Sequence, residues 1–436
     1  MEILLTGDLH LGRSSSGTGP GSVGHRAADA WHRLVGLAIA RRVGAVILSG
    51  DVVDHSNRFF EAAGPLTQGI RRLADAGIPT VAVAGNHDHN VLPSLAAQWA
   101  DPSFKFTLLG RGGSWEEIVL LDQGQPALRL VGWSFPSDRY RDDPLAHFPG
   151  ISSRDLPVLG LVHGDLDSPG SVHAPLRRSS LRAAPVQGWL LGHIHLPFLD
   201  TAPGNPWILY PGSPQALDPG EPGVHGVWTA RVTPAGITPP ELLPLSSVRY
   251  ESATVSLTDA PDESSVRTRL HEGLAGCATA AREEGGEALR HLVVEVIVDG
   301  ASPAAAAVDD ILEELRRQED FEIRDVQLVI RSATNHSTLP IDLDSIAQGH
   351  SLSAHLARLI RDIESGRTTS DADEALAEAR NAIRALSFQS TLRRGDGEEG
   401  FHVDATRLRE GLSIAARRLL GILVQQPAPG REGARS

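Results

Sequence analysis

A single cysteine, Cys277, excludes an internal disulfide and any cysteine-based metal site. No apolar run approaches the ~20 residues needed to cross a bilayer, so no membrane span is expected. The opening residues, Met1 to Asp8, have no basic n-region and too short an apolar run for a secretory signal. A cytoplasmic location is the resulting expectation. Lysine is almost missing as well, Lys105 being the one example, so positive charge rests on arginine. Positive charge is itself in deficit. The net charge is −14, of which −3 falls in residues 1–250 and −11 in residues 251–436. Global charge therefore does not advertise a nucleic-acid binder, although a local basic groove is compatible with it.

What is present describes a globular protein. The chain has 436 residues, 41% of them hydrophobic, with a mean hydropathy of −0.13. That length predicts two or three domains. No internal repeat is visible.

The first 90 residues repeat a strand–loop–helix pattern. Glu2–Thr6, Val43–Leu48 and Thr80–Ala84 read as strands, and Ala27–Val43 and Phe59–Ala76 as helices with apolar residues at helical spacing. This pattern argues for parallel strands with helices packed on them. Ser14–Gly24, rich in serine and glycine, is expected to be a mobile loop. From residue 114 the period shortens. Strands are expected at 114–121, 127–133, 157–162, 188–191 and 207–210, with a closing hairpin over 224–245. The expected fold class is α/β, with two packed β-sheets flanked by helices, followed by a small α+β capping domain and C-terminal helices. In the second part, Tyr250–Leu257, Leu292–Val298 and Glu322–Arg331 read as strands, and Ser264–Glu284 and Ser302–Gln318 as helices. Helices are then expected over Asp344–Glu364, Ser370–Leu386 and Asp404–Gln425, with apolar stripes suited either to a partner or to the body of the same chain. Arg393–Gly400 reads as a loop. Domain boundaries follow at 1–248, 249–335 and 336–426, with a disordered tail over 427–436.

Chemistry collects where strands of an open α/β sheet end. Here five strand ends carry possible ligands: Asp8 and His10; Asp51; Asn86 and His87; His163; His193 and His195. All are nitrogen or oxygen donors of the kind that bind Mn, Fe or Zn. Residues two apart after a strand point to one side, so Asp8 with His10, and His193 with His195, can each reach one centre. Eight donors exceed the needs of one ion. Two ions sharing a carboxylate sit ~3.5–4 Å apart, and Asp51 is the candidate bridge.

Gly7-Asp8-Leu9-His10, Gly50-Asp51-Val52-Val53-Asp54, Gly85-Asn86-His87-Asp88, His163 and Gly192-His193-Ile194-His195 resemble the five motifs of calcineurin-like metallophosphoesterases. His10-Leu11-Gly12 and Tyr210-Pro211-Gly212-Ser213-Pro214 are similar to the SbcD branch of DNA-repair nucleases and the related YhaO group. The resemblance implies two divalent ions, with Mn2+ suggested by family practice. One would be held by Asp8, His10, Asp51 and His195, the other by Asp51, Asn86, His163 and His193. It implies that His87 contacts phosphate and protonates the leaving oxygen, with Asp88 orienting it, while metal-bound hydroxide attacks phosphorus. Asp54, His55, Arg13 and Arg58 are candidate substrate contacts, and Asn57 lies near them. The implied function is that of a DNA nuclease subunit, a homodimer, with the C-terminal helices binding an SbcC-type coiled-coil ATPase. The alternative is a stand-alone phosphodiesterase or phosphatase for small phosphoesters.

Overall fold

The fold is that of a computed structural model, which describes residues 1–18, 25–54, 59–318, 321–387 and 404–425. His55, Asn57, Arg58, the 393–400 loop and the 427–436 tail, all singled out above, lie outside those residues, as does 19–24 of the serine- and glycine-rich loop.

Thirteen strands come first: β1 (Glu2–Thr6), β2 (Ala45–Leu48), β3 (Thr80–Ala82), β4 (Phe106–Leu108), β5 (Trp115–Asp122), β6 (Gln125–Trp133), β7 (Val158–His163), β8 (Gly188–Gly192), β9 (Phe198–Asp200), β10 (Trp207–Tyr210), β11 (Gly226–Thr233), β12 (Gly236–Ile237) and β13 (Glu241–Pro244). They form two sheets. One runs β12-β11-β1-β2-β3-β4, with β13 also on β11; the other runs β5-β6-β7-β8-β10-β9. In the first sheet β1 to β4 are parallel, and in the second β6, β7, β8 and β10 are parallel. Both sheets therefore present several C-terminal strand ends on one edge.

Alternation along the strands explains the layering. Ile3, Leu5, Ala45, Ile47, Val81 and Val83 share one apolar cluster with Leu128, Leu130, Leu159, Leu161 and Leu190 of the second sheet. The intervening Leu4, Val46, Leu48 and Ala82 pack instead with the helices α1 (Ala27–Arg41), α2 (Phe59–Asp75) and α3 (Val91–Gln98). Because each strand is buried on both faces, it reads as a continuous apolar run. On the outer side of the second sheet, Trp189, Leu191 and Val162 pack around Leu181 of α4 (Arg178–Ala183). The two packed sheets with flanking helices are those expected from the sequence.

The later part contains β14 (Val248–Ser256), α5 (Glu263–Gly285), β15 (His291–Asp299), α6 (Val308–Arg316), β16 (Glu322–Ile323) and β17 (Val326–Asn335), with sheet order β14-β15-β17-β16. Glu322–Arg331, expected as one strand, is instead a hairpin. Arg324 and Asp325 both adopt left-handed backbone, with φ of 51° and 61°, and Ile323 pairs with Val326. Two successive positive φ values match the right-handed twist of a two-residue hairpin. The helix expected over Ser302–Gln318 is likewise shorter, starting at Val308 after a 3-10 turn at Ala305–Ala307.

The helix expected over Asp344–Glu364 is two: α7 (Leu343–Ala347) and α8 (Leu352–Ser365). Ser351 caps the second, accepting the Ala354 amide at 3.2 Å. With α9 (Ser370–Ser387) and α10 (Ala405–Gln425) they follow the strands. Ala357 and Ile360 pack with Leu420, and Arg417 grips Glu364 through two nitrogens at 2.6 and 2.8 Å. By compactness the chain forms two units. One is Met1–Glu251 with Gly276–Val294 and Glu319–Arg331; the other is Ser252–Ala275, Glu295–Gln318 and Ser332–Ser436. Residues 249–335, read above as one capping domain, contribute to both. Among the described residues no helix is long and apolar enough to cross a membrane.

Candidate metal centre

The parallel strands β1, β2 and β3 of one sheet and β7 and β8 of the other deliver their ends to one place. The turns there are tight. Asp8, His10, Asp51 and His193 all adopt left-handed backbone, with φ of 48°, 44°, 49° and 100°. Such conformations cost non-glycine residues energy and persist only where surroundings enforce them. Here the turns hold one another: the Asp8 amide donates to the Gly50 carbonyl at 3.0 Å, and the His10 amide to the Asp51 carbonyl at 2.9 Å. Space is equally tight. A Cβ on Gly85 would strike the Asp51 carboxylate, and one on Gly192 would strike both the Ser49 carbonyl and His163 Nδ1.

Two sets of donors result. In the first, His10 Nε2 and His195 Nε2 lie 2.9 Å apart. Their other nitrogens face carboxylates: His10 Nδ1 is 3.2 Å from Asp54 Oδ1, and His195 Nδ1 is 2.7 Å from Glu221 Oε1. With Nδ1–H donated in each ring, two Nε2 lone pairs converge, an arrangement that requires a shared proton or a cation. Asp8 completes the set. Its Oδ1 accepts the His193 amide at 3.0 Å, while Oδ2 is buried without a hydrogen-bond partner among the described residues. Burial raises the Asp8 pKa, against the pull of His163 and His195.

In the second set, Asn86 Oδ1 lies 3.0 Å from His163 Nε2 and 3.2 Å from His193 Nδ1. Asp51 Oδ2 sits 3.4 Å from His163 Nε2 and 3.8 Å from His10 Nε2, so it faces both sets. Burial alone would raise the Asp51 pKa, but His163, His10 and His87 hold it well below the usual carboxylate range. His163 is pushed up to about 9: burial acts downward, and the Asp51 and Asp8 carboxylates override it. An orphaned buried oxygen, facing imidazole nitrogens and a shared carboxylate fit a dinuclear divalent-metal site of N and O donors.

Residues 1–197 match the family model of the calcineurin-like phosphoesterases. This part of the chain is a calcineurin-like metallophosphoesterase domain. The chain is also similar to the uncharacterized metallophosphoesterase YhaO of Bacillus subtilis, 26% identical over 300 residues that cover 67% of this chain and 70% of YhaO. It is similar to the DNA double-strand break repair protein Mre11 of Haloferax volcanii, 28% identical over 240 residues. That alignment covers 54% of this chain and spans half the length of Mre11.

Other polar groups of the phosphoesterase domain stand behind the donors. His163 Nδ1 lies 3.0 Å from the Ser49 carbonyl, and His193 Nε2 lies 3.4 Å from Asp165 Oδ1. Tyr210 steadies the turn that carries Asp165, donating its hydroxyl to the Gly164 carbonyl at 2.6 Å and accepting the Leu166 amide at 2.9 Å. His87 is partly exposed at the mouth, with Nε2 4.0 Å from Asp51 Oδ2. Its Nδ1 lies 2.8 Å from the Asp54 carbonyl oxygen. Orientation of His87, ascribed above to Asp88, thus comes from the Asp54 backbone. The Asp88 carboxylate instead accepts the amides of Val52 at 2.7 Å and Gly85 at 2.8 Å, tying two ligand turns together. Burial and the nearby Asp51 push its pKa up to about 7. Asp54, expected as a substrate contact, is 8% exposed with its carboxylate on His10. Arg13, also expected to meet substrate, is partly exposed and lies 3.4 Å from Asp218.

Neither Glu221 nor Asp165 is among the site residues expected from the sequence. Asp165 carried a signal, standing two residues beyond His163 after a strand. Glu221 lies 26 residues beyond His195, a separation that no local spacing rule detects.

Proposed function

We propose that the protein is a two-metal phosphodiesterase that cleaves DNA, the nuclease subunit of an SbcCD-like complex. The observation that carries this reading is the convergence of Asp8, His10, Asp51, Asn86, His163, His193 and His195 on one centre, with His87 at its mouth. DNA as substrate is supported by the similarity to Mre11, a DNA double-strand break repair protein, and by a similarity to YhaO that continues past the phosphoesterase domain. In this reading Asp8, His10, Asp51 and His195 hold one Mn2+, and Asp51, Asn86, His163 and His193 a second. When bound, the two ions supply an activated water nucleophile and neutralise charge developing on phosphorus.

The protein's own groups do the rest. The Asp54 carbonyl fixes the proton on His87 Nδ1 and so aims Nε2 at the centre. As general acid, Nε2 passes a proton to the leaving oxygen. Arg13, and with it Arg58 and His55, contacts the phosphate backbone of the strand. The C-terminal helices dock an SbcC-type ATPase through the apolar side of α10, where Leu419, Ile422 and Val424 are exposed. Two copies associate through helices of the nuclease core, with α2 and α3 as the candidates. The complex works in the cytoplasm.

The test is Mn2+-dependent cleavage of duplex and single-stranded DNA. His87→Ala should lower kcat by ~10²–10⁴-fold while retaining both ions by elemental analysis. A loaded wild-type protein that hydrolyses only small phosphodiesters, even with its ATPase added, would sink the nuclease reading in favour of a stand-alone phosphodiesterase.

A further inference from the structure

Every histidine aimed at the centre has its second ring nitrogen on an acceptor. For His163 the acceptor is a backbone carbonyl, for His193 it is Asp165 at a long 3.4 Å, and for His10 it is Asp54 at 3.2 Å. The contact from His195 to Glu221 is the shortest of the set at 2.7 Å. Glu221 also lies beyond residues 1–197, the part that matches the family model.

Glu221 is built in rather than incidental. It is 4% exposed. Oε2 accepts the Ser213 hydroxyl and the Leu217 amide, both at 2.8 Å, which leaves Oε1 for His195. The loop that carries it is pressed onto the His195 backbone as well. The Ser213 amide donates to the His195 carbonyl at 2.9 Å. Gly212 has a φ of 70°, and a Cβ there would come within 2.5 Å of the same carbonyl. Tyr210-Pro211-Gly212-Ser213-Pro214 thereby acquires a physical task, which is to bring the Glu221 loop against His195. A carboxylate so held fixes the imidazole tautomer, locks the ring and raises the basicity of Nε2.

We propose that Glu221 is a positioning residue for His195 and, through it, sets the affinity of the ion held with Asp8 and His10. This rests on the assignment of His195 as a ligand. The experiment is calorimetric titration of Mn2+ into ion-free full-length protein, with His195→Ala beside Glu221→Ala and Glu221→Gln. Wild type should take two ions, and His195→Ala should lose the first. Glu221→Ala should weaken the first ion by ~10–100-fold and leave the second unchanged, with Glu221→Gln falling between. At two equivalents, electron paramagnetic resonance should show a coupled Mn2+ pair in wild type and isolated Mn2+ in Glu221→Ala, a change that a merely structural role would not single out. Wild-type affinity for both ions in the two Glu221 variants, with His195→Ala deficient, would overturn the inference. Should Glu221→Ala not fold, a wild-type isotherm for Glu221→Gln overturns it alone. Full binding by His195→Ala would instead remove the ligand assignment beneath it.

Discussion

Asp8, His10 and His195 form one half of the centre and Asn86, His163 and His193 the other, with Asp51 facing both, and the halves differ in what backs the imidazoles. Behind the first stand two carboxylates, Asp54 and Glu221. Behind the second stand a backbone carbonyl and a more distant carboxylate. The second half also offers a neutral amide, Asn86, where the first offers the Asp8 carboxylate. Charge count and ligand basicity both favour a cation in the first half. Two ions of one element should therefore bind in order, the first more tightly.

The largest effect should come from Asp51, which faces both halves. Asp51→Ala should lose both ions by elemental analysis and fall to background activity. Retention of the tighter ion would show that the halves are independent and Asp51 is no bridge.

Next in size is the response to pH. In the ion-free protein His163 holds its proton up to about 9, so an ion entering the second half must displace it. Affinity for the weaker ion should rise about tenfold per pH unit below 9 and then level off, as measured by calorimetry in buffers of differing ionisation enthalpy. The same shift has a sign for stability. A raised histidine pKa stabilises the ion-free fold fully below its unfolded value, and that contribution is lost as pH rises through about 9. Melting temperature in chelator should accordingly fall across that range.

Asp165→Asn should have the smallest effect. At 3.4 Å from His193 its contact is long, so the weaker ion should lose affinity by no more than ~10-fold, with the tighter ion untouched. A larger loss than that from Glu221→Ala would invert the ranking of the two halves.

Much of this centre was legible because strand ends are local. An apolar run, a glycine and a polar donor lie within eight residues of one another, and alternation tells which side they share. The two-sheet core was legible for the same reason. What escaped depends on distance or on backbone conformation. Glu221 reaches His195 only after the chain has passed through β9 and β10. Asp88 stands beside His87 in sequence yet turns to the amides of Val52 and Gly85. The hairpin at Arg324 and Asp325 lacks the Asn-Gly or Asp-Gly pair that usually marks such a turn, so its strands read as one. The break between α7 and α8 needed only a serine cap after Gly349, a signal weaker than the surrounding apolar stripe.

The crowding of the glycines that precede the ligands sets a condition on anyone wishing to transplant this site. Gly50 has no room for a Cβ because Gly85 and His163 are there; Gly85 has none because of Asp51; Gly192 has none because of Ser49 and His163. Each turn is thus the mould for its neighbour, drawn from both sheets. A host scaffold given the seven donor side chains on its own loops would not reproduce their spacing. The smallest graft that carries the geometry is the whole set of interlocked turns, together with the strands that aim them.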